Sequence, residues 1–280
     1  MATGAKRDGT EPRRESSALP ADIALGLAEF GQRRFARTLD VRWFRSVPST
    51  MDVVAALADE GAAHGLVVVA DEQTAGRGRR GHDWSSPAGS GLYFTLLARP
   101  AGHTSLITLA AGVAVRRGIE RATSVSARLK WPNDLIVGSR KLAGILCEGL
   151  HGGTPDGAVA IGVGINLIAG SHPQQVAALA TSVAGETGAA VDRGLVFAAV
   201  IEQLVDVLAA LDRGAGGDIL REWRRWALGA NGATVEWVTS PGVQRGVTAG
   251  VDDLGALLVD TPCGRQRIVG GEVRWLKPEA

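Results

Sequence analysis

The sequence predicts an α+β fold, a mixed or mostly antiparallel sheet with flanking helices, followed by a small all-β barrel. Several strand-like runs succeed one another without a helix between them, which excludes a regular βαβ alternation. Long Ala- and Leu-rich segments at residues 103–123 and 191–211 supply helices to cover such a sheet. Beyond Gly229 the apolar runs shorten to five, separated by turn residues such as Ser240-Pro241-Gly242. The 280 residues, 45% hydrophobic and 21% charged, are enough for a substantial core with a small companion.

The elements follow in order. Residues 1–20 mix Lys6, Arg7, Asp8 and Glu11 with Gly and Ser and hold no apolar stretch, predicting a disordered tail rather than a signal peptide. A helix over 21–37 would place Ile23, Leu27, Phe30 and Arg34 at helical spacing, in a segment too short for a complete helix-turn-helix domain. A strand is expected at 41–46. Ser49 then starts a short helix running to Glu60, with Asp52 in a capping-box-like position. Gly61 and Gly65 close it, and 66–70 reads as a fully buried strand. Residues 73–90 lack apolar periodicity and predict a long loop, of a length that inside a compact domain is usually functional. A strand at 92–98, the helix 103–123, and strands near 127–130, 142–148 and 158–167 come next. The helix 191–211 is amphipathic, with Val196, Val200, Leu204, Val207 and Leu211 on one side, and a helix over 218–228 follows a Gly-rich turn. The barrel strands are expected at 234–238, 243–251, 256–260, 266–269 and 272–276. The chain thus divides at 1–20, 21–228 and 229–280.

Composition narrows the function. Thirty basic against twenty-nine acidic residues leave a net charge of +1, which offers no global field to nucleic acid or an anionic membrane. Cys147 and Cys263 are too few for a disulfide framework and read as structural, in a reducing, cytoplasmic setting. The longest apolar runs, 106–115 and 158–165, fall short of the ~20 residues that span a bilayer. The 38 glycines, nearly twice the ordinary usage of about 7%, have no collagen period and must serve turns and close backbone approaches.

Four motifs carry chemistry. In Gly76-Arg77-Gly78-Arg79-Arg80-Gly81, alternating glycines expose backbone N–H groups while three arginines supply charge-assisted donors. Three arginines against Asp83 make the stretch from Gly76 to Trp84 a local anion site of charge +2, though an exposed basic loop has the same composition. It is neither a Walker loop nor a Rossmann fingerprint. Lys130-Trp131-Pro132-Asn133-Asp134 sets a cation at a strand end four positions before a carboxylate, either a working turn or a plain one. In Arg140-Lys141-Leu142-Ala143-Gly144-Ile145-Leu146 a lysine enters a small-residue strand, where it is an exposed strand-end charge or neutralises reacting anions. Gly162-Val163-Gly164-Ile165-Asn166 permits close approach on one face, or simply packs tightly.

In this order and spacing the motifs resemble the biotin–protein ligases, which activate biotin as biotinyl-5'-AMP and transfer it to a lysine of a carrier protein. The resemblance runs from about Arg42 to the C-terminus. It implies a class II synthetase-like catalytic domain over 21–228, an SH3-like barrel over 229–280, and the short form without an N-terminal DNA-binding domain. It places biotin near Ser49, Thr50, Gln73, Gly76 and Gly144, with backbone groups of Arg77 and Arg79. It puts ATP and the adenylate near Arg77, Arg79, Arg80, Trp84, Lys130, Asn133, Lys141 and Asn166. Lys141, Arg79 and Asp134 are its catalytic candidates: Lys141 between the biotin carboxylate and the α-phosphate, Asp134 drawing the acceptor amine. The loop 73–90 becomes a lid that shields the adenylate, with Trp84 as its anchor or as ordinary core. Mg²⁺ is expected through the phosphates rather than on a protein cluster. The implied partner is the biotin carboxyl carrier protein domain of carboxylases such as acetyl-CoA carboxylase, with no nucleic acid, no membrane, and a monomer or weak homodimer.

One position departs from the family pattern. Ser-Thr-Asn is usual where this chain has Ser49-Thr50-Met51, so an amide contact is absent. The five histidines, His64, His82, His103, His151 and His172, are scattered and receive no role. Three other functions compete. A lipoate–protein ligase or octanoyltransferase shares the fold and the lysine but lacks the arginine-glycine loop. A bifunctional ligase and repressor needs a winged helix of about 60 residues, more than the roughly 40 that precede Val41. A non-catalytic nucleotide-binding protein requires that Lys141 and Asp134 be dispensable.

Overall fold

The computed structural model describes residues 18–31, 39–102, 104–150, 157–168, 176–240 and 242–276. Residues 1–17 of the tail expected over 1–20 and the helical extension past residue 31, with Arg34, lie outside them, as do His103, His151 and His172. Seven strands form the larger sheet: β1 (Asp40–Val47), β2 (Leu66–Gln73), β3 (Gly91–Ala98), β4 (Arg128–Lys130), β5 (Asp134–Val137), β6 (Arg140–Gly149) and β7 (Val159–Asn166). Their order is β1-β2-β3-β7-β6-β5-β4, with β1–β2 parallel and the other pairs antiparallel. The expected mixed sheet is therefore present. One strand, β5, was not expected: Trp131-Pro132-Asn133 is the whole turn, and Asp134 already pairs with Lys130 across it. Four residues after a proline carry too little alternation to announce a strand.

Both faces of the sheet are covered, unequally. Alternation along β2 sends Val67 and Val69 to one face and Val68 and Ala70 to the other. The first face carries α1 (Ala21–Gly31), α3 (Ile107–Thr123) and α5 (Arg193–Asp212), while α4 (Val183–Thr187) is a single short turn that the sequence did not predict. Phe94 on β3 meets Phe197 on α5 edge to face, centroids 5.4 Å apart. Helices α3 and α5 cross closely at Gly118, where a Cβ would lie 2.5 Å from the Val200 Cα. By length and composition α5 could cross a membrane, contrary to the expectation from the apolar runs, but it packs on α1 and α3 as a core helix.

The second face carries α2 (Thr50–Asp59), which seats Met51, Val54 and Ala58 over Val68, Ala70 and Ala160. Ser49 caps it, accepting from Met51 N at 3.3 Å. The capping box is not closed, because the Asp52 carboxylate turns to Arg77 instead. Among the described residues no helix covers the neighbouring part of this face. There β6 and β7 present Gly144 and Gly164, directly paired, and Gly162 opposite Leu146. Missing side chains leave a hollow in the sheet surface.

A last helix, α6 (Gly216–Trp226), leads to five antiparallel strands: β8 (Asn231–Thr239), β9 (Gly242–Val251), β10 (Leu257–Thr261), β11 (Gly264–Ile268) and β12 (Val273–Trp275), in the order β11-β10-β9-β8-β12. They lie within a few residues of the five predicted strands. Val235, Trp237, Leu257, Val259 and Ile268 form the buried side, continuous with the main core.

Candidate active site

The hollow over Gly144, Gly162 and Gly164 is the floor of a cavity of about 560 Å³. The start of α2 and the end of β2 form one wall, the arginine loop the roof, and the β4–β5 turn with β12 the far side. Of the residues singled out in the sequence, Ser49, Thr50, Gln73, Arg77, Arg79, Arg80, Trp84, Lys130, Asn133, Asp134, Lys141 and Gly144 all line it. Gly76 and Asn166 do not. A Cβ on Gly76 would lie 2.5 Å from the Trp84 carbonyl oxygen, so this glycine lets the loop fold on itself. Asn166 is buried, its amide donating to the Lys141 carbonyl at 3.2 Å and the Thr181 carbonyl at 2.9 Å. It supports the lysine strand from behind.

A polar chain runs along the α2 wall. Gln73 Oε1 accepts from Thr50 N at 2.9 Å and Thr50 Oγ1 at 3.1 Å, while its Nε2 donates to Ser86 Oγ at 2.8 Å. Thr50 Oγ1 also lies 2.8 Å from Thr95 Oγ1 in β3. These bonds fix the amide orientation of Gln73, giving the wall a set donor and acceptor pattern. Thr95 and Ser86 were not legible in advance, since a lone hydroxyl carries no motif.

In the roof, Arg80 adopts a left-handed backbone (φ 57) that reverses the chain. Arg77 reaches Asp52 at 2.6 Å and Glu148 at 3.4 Å, tying the loop to α2 and β6. Burial opposes its charge, yet the hydrogen bonds and charges of the two carboxylates outweigh this and raise its pKa. Arg79 has no such partner among the described residues: burial first, and then the Arg80 charge, lower its pKa, with Asp134 opposing. Arg77 is spent on structure, whereas Arg79 is a half-buried cation free to meet an anion.

Lys141 Nζ lies 2.6 Å from Asp134 Oδ1 and 5.1 Å from the centre of the Trp84 ring. The Lys141 ammonium thus serves the buried Oδ1 as its close ionic partner. Trp84 Nε1 is buried with no acceptor among the described residues. An orphaned buried donor is costly, so one beside the cavity marks it as a place for a polar ligand. The Trp84 ring rests on the glycine floor: a Cβ on Gly164 would lie 2.5 Å from its Nε1, and one on Gly144 3.0 Å from its Cζ3. Asn133 ties the turn to β6, Nδ2 donating to the Ile145 carbonyl at 2.7 Å. Lys130 is lowered in pKa by burial, Asp134 opposing and Lys141 adding to the shift.

Met51, where the family pattern has an amide, is 4% exposed with its sulfur over Gly162. The lost polar group is replaced by packing. Glu272 and Trp275 of the C-terminal sheet also line the cavity, a contribution that only the tertiary fold reveals. His82 sits at the rim without a partner role, and His64 accepts from the Arg99 backbone N–H elsewhere. Cys147 and Cys263 stand outside, the Cys147 thiol pushed up to about 12 by burial. No cluster of three metal-ligating side chains occurs among the described residues. The donors fit Mg²⁺ only as an ion carried largely by phosphate, since the lining carboxylates Asp83, Asp134 and Glu272 form no ligand cluster.

Comparison with known proteins bears on this site directly. A sequence model described as the biotin/lipoate A/B protein ligase family matches residues 43–166, which span β1 to β7 and all three charged motifs. The bifunctional ligase/repressor BirA of Bacillus spizizenii is 34% identical over 236 residues, covering 81% of this chain and 71% of its own. The biotin–[acetyl-CoA-carboxylase] ligase of Paracoccus denitrificans is 37% identical over 222 residues, 74% of this chain and 88% of that one. The biotin protein ligase of Aquifex aeolicus, solved in complex with biotin and ATP, superposes with a TM-score of 0.74 at 28% identity, over 85% of this chain and 99% of that one. Likeness of this extent, in sequence and in fold, makes the chain a member of the biotin/lipoate A/B protein ligase family, among its biotin–protein ligases.

Proposed function

We propose that the cavity performs both half-reactions of protein biotinylation. The observation that carries this reading is the Lys141–Asp134 pair, 2.6 Å apart and facing the arginine loop across the glycine floor. In the first step a biotin carboxylate oxygen attacks the α-phosphorus of ATP, the bond to pyrophosphate breaks, and biotinyl-5'-AMP forms. Two anions must come within bonding distance, so fixed cations are the main requirement. Lys141, Arg79 and Lys130 provide three around one cavity. When bound, Mg²⁺ neutralises phosphate charge. Biotin lies against Thr50 and Gln73, whose orientation Ser86 fixes from behind.

The product is a mixed anhydride that water destroys, and the loop from Gln73 to Ser90 roofs it with Trp84 against the floor. In the second step the acceptor lysine amine attacks the acyl carbon, AMP leaves, and the amine proton passes to Asp134, the carboxylate that Lys141 holds at the cavity wall. The acceptor is the carrier domain of a biotin-dependent carboxylase such as acetyl-CoA carboxylase. We read the chain as a tail (1–20), a catalytic domain (21–228) and a C-terminal domain (229–280). The protein acts in the cytoplasm, as a monomer or weak homodimer, and without nucleic acid, the last supported by its net charge of +1.

Incubating the protein with radiolabelled biotin, ATP, Mg²⁺ and a lysine-bearing carrier fragment tests this. Label should appear on the carrier lysine, and equal concentrations of lipoate or octanoate should not compete. Labelling by lipoate or octanoate in place of biotin would overturn the substrate assignment.

A further inference from the structure

The turn that bears Lys130 and Trp131 is gripped at two points by the C-terminal sheet. Trp131 Nε1 donates to the Gly255 carbonyl, between β9 and β10, at 2.9 Å. The Lys130 ammonium lies 4.8 Å from the centre of the Trp275 ring on β12. Trp275 is itself fixed, its Nε1 donating to the Gly229 carbonyl at 3.0 Å. Gly229 has φ 65, and a Cβ there would lie 2.6 Å from that Nε1, so the ring seats against bare backbone. On its other side Trp275 pairs with Val235 of β8.

Asp134 stands opposite Lys130 in the hairpin register but is engaged by Lys141 at 2.6 Å. The half-buried Lys130 ammonium is left with an aromatic face as its packing partner. Such a face attracts a desolvated cation without carrying a negative charge. It can therefore hold the amine in place and leave its full charge for an incoming anion.

We propose that Trp275 is a positioning residue: its ring aims the Lys130 ammonium into the cavity to receive a phosphate of ATP. The C-terminal sheet thereby sets the nucleotide affinity of a lysine that belongs to the larger sheet. The inference rests on the ligase reading above only in naming ATP as the source of the anion.

The test uses the full chain with Trp275→Leu, which removes the ring, and Trp275→Phe, which keeps a ring but no N–H. In biotin-dependent ATP–pyrophosphate exchange, Trp275→Leu should raise KM for ATP about five- to tenfold, the scale of one desolvated cation–π contact. KM for biotin should stay put, and Trp275→Phe should recover most of the ATP affinity. Equal losses in the two variants, a parallel rise in KM for biotin, or an unchanged KM for ATP in Trp275→Leu would each overturn the proposal. A second readout needs no turnover. With lysine labelled at Cε, the Lys130 methylene signal, assigned by its loss in Lys130→Arg, should be displaced upfield by the ring current in the unmodified protein and in Trp275→Phe, even if Trp275→Leu does not fold. A displaced signal in a protein without exchange activity would sink the ligase reading and spare the clamp. An undisplaced signal would sink the clamp whatever the activity.

Discussion

Lysine is scarce in this chain: of thirty basic residues four are lysines, and the two among the described residues, Lys130 and Lys141, both line the cavity. Outside the cavity roof, arginine supplies ion pairs, as where Arg117 pairs with Glu222, Arg121 with Glu202 and Arg265 with Asp260. The small, mobile ammonium is kept for the place where charge must follow a reacting group. The glycines are equally selective. A Cβ at Gly164 would meet the rigid indole of Trp84, whereas one at Gly162 would meet the flexible end of Met51 at 2.8 Å. Gly164→Ala should therefore lift Trp84 off the floor and raise KM for biotin about tenfold or more, while Gly162→Ala shifts it about threefold or less. Steady-state exchange kinetics on both variants check this, and equal effects would show that Trp84 does not anchor the roof. Lys141, Asp134 and the arginines each had a bland reading in the sequence, as a strand-end charge, a plain turn or an exposed loop, and only the order and spacing of their motifs singled them out together. The role of Met51 was not legible, because the group it replaces is polar and its own work is packing.

Elements hold the site through their ends. Arg193 at the start of α5 reaches Asp22 on α1 and Asp71 at the end of β2, both at 2.8 Å, and so pins two helices to the strand that delivers Gln73. The Arg193 hydrogen bond, aided by its charge and opposed by burial, holds the Asp22 carboxyl below the usual carboxylate range. A lowered folded pKa means that the contribution is complete above the ordinary value of 3.8 and is lost as pH falls through the folded one. Thermal midpoints should thus drop on acidification below about pH 4, and Asp22→Asn should flatten that limb. Because Asp22 is 37% exposed, its loss at neutral pH should cost less than about 1 kcal/mol. An unchanged acid limb in Asp22→Asn would show that the network does not bear on stability. Helices and long strands were legible because their apolar periods are long. Strand β5 and helix α4 were not, since four residues hold only two periods of strand alternation and five little more than one helical turn.

On the scale of the molecule, two sheets share one cavity. Its floor and catalytic pair come from the larger sheet, its roof from a loop, and its far wall from β12, more than 130 residues away from Lys141 in sequence. That last part could not be read in advance, because Trp275 sits in a short strand with no motif and meets Lys130 only through the packing of the whole chain. The near-zero net charge conceals this concentration of cations around a hollow sized for a small acid and a nucleotide. The central claim is that Lys141 supplies the charge that lets carboxylate and phosphate meet. Biotin-dependent exchange of labelled pyrophosphate into ATP by Lys141→Ala measures it most directly. The rate should fall by about 100-fold or more with the thermal midpoint little changed, and exchange at the rate of the unmodified protein would contradict the account.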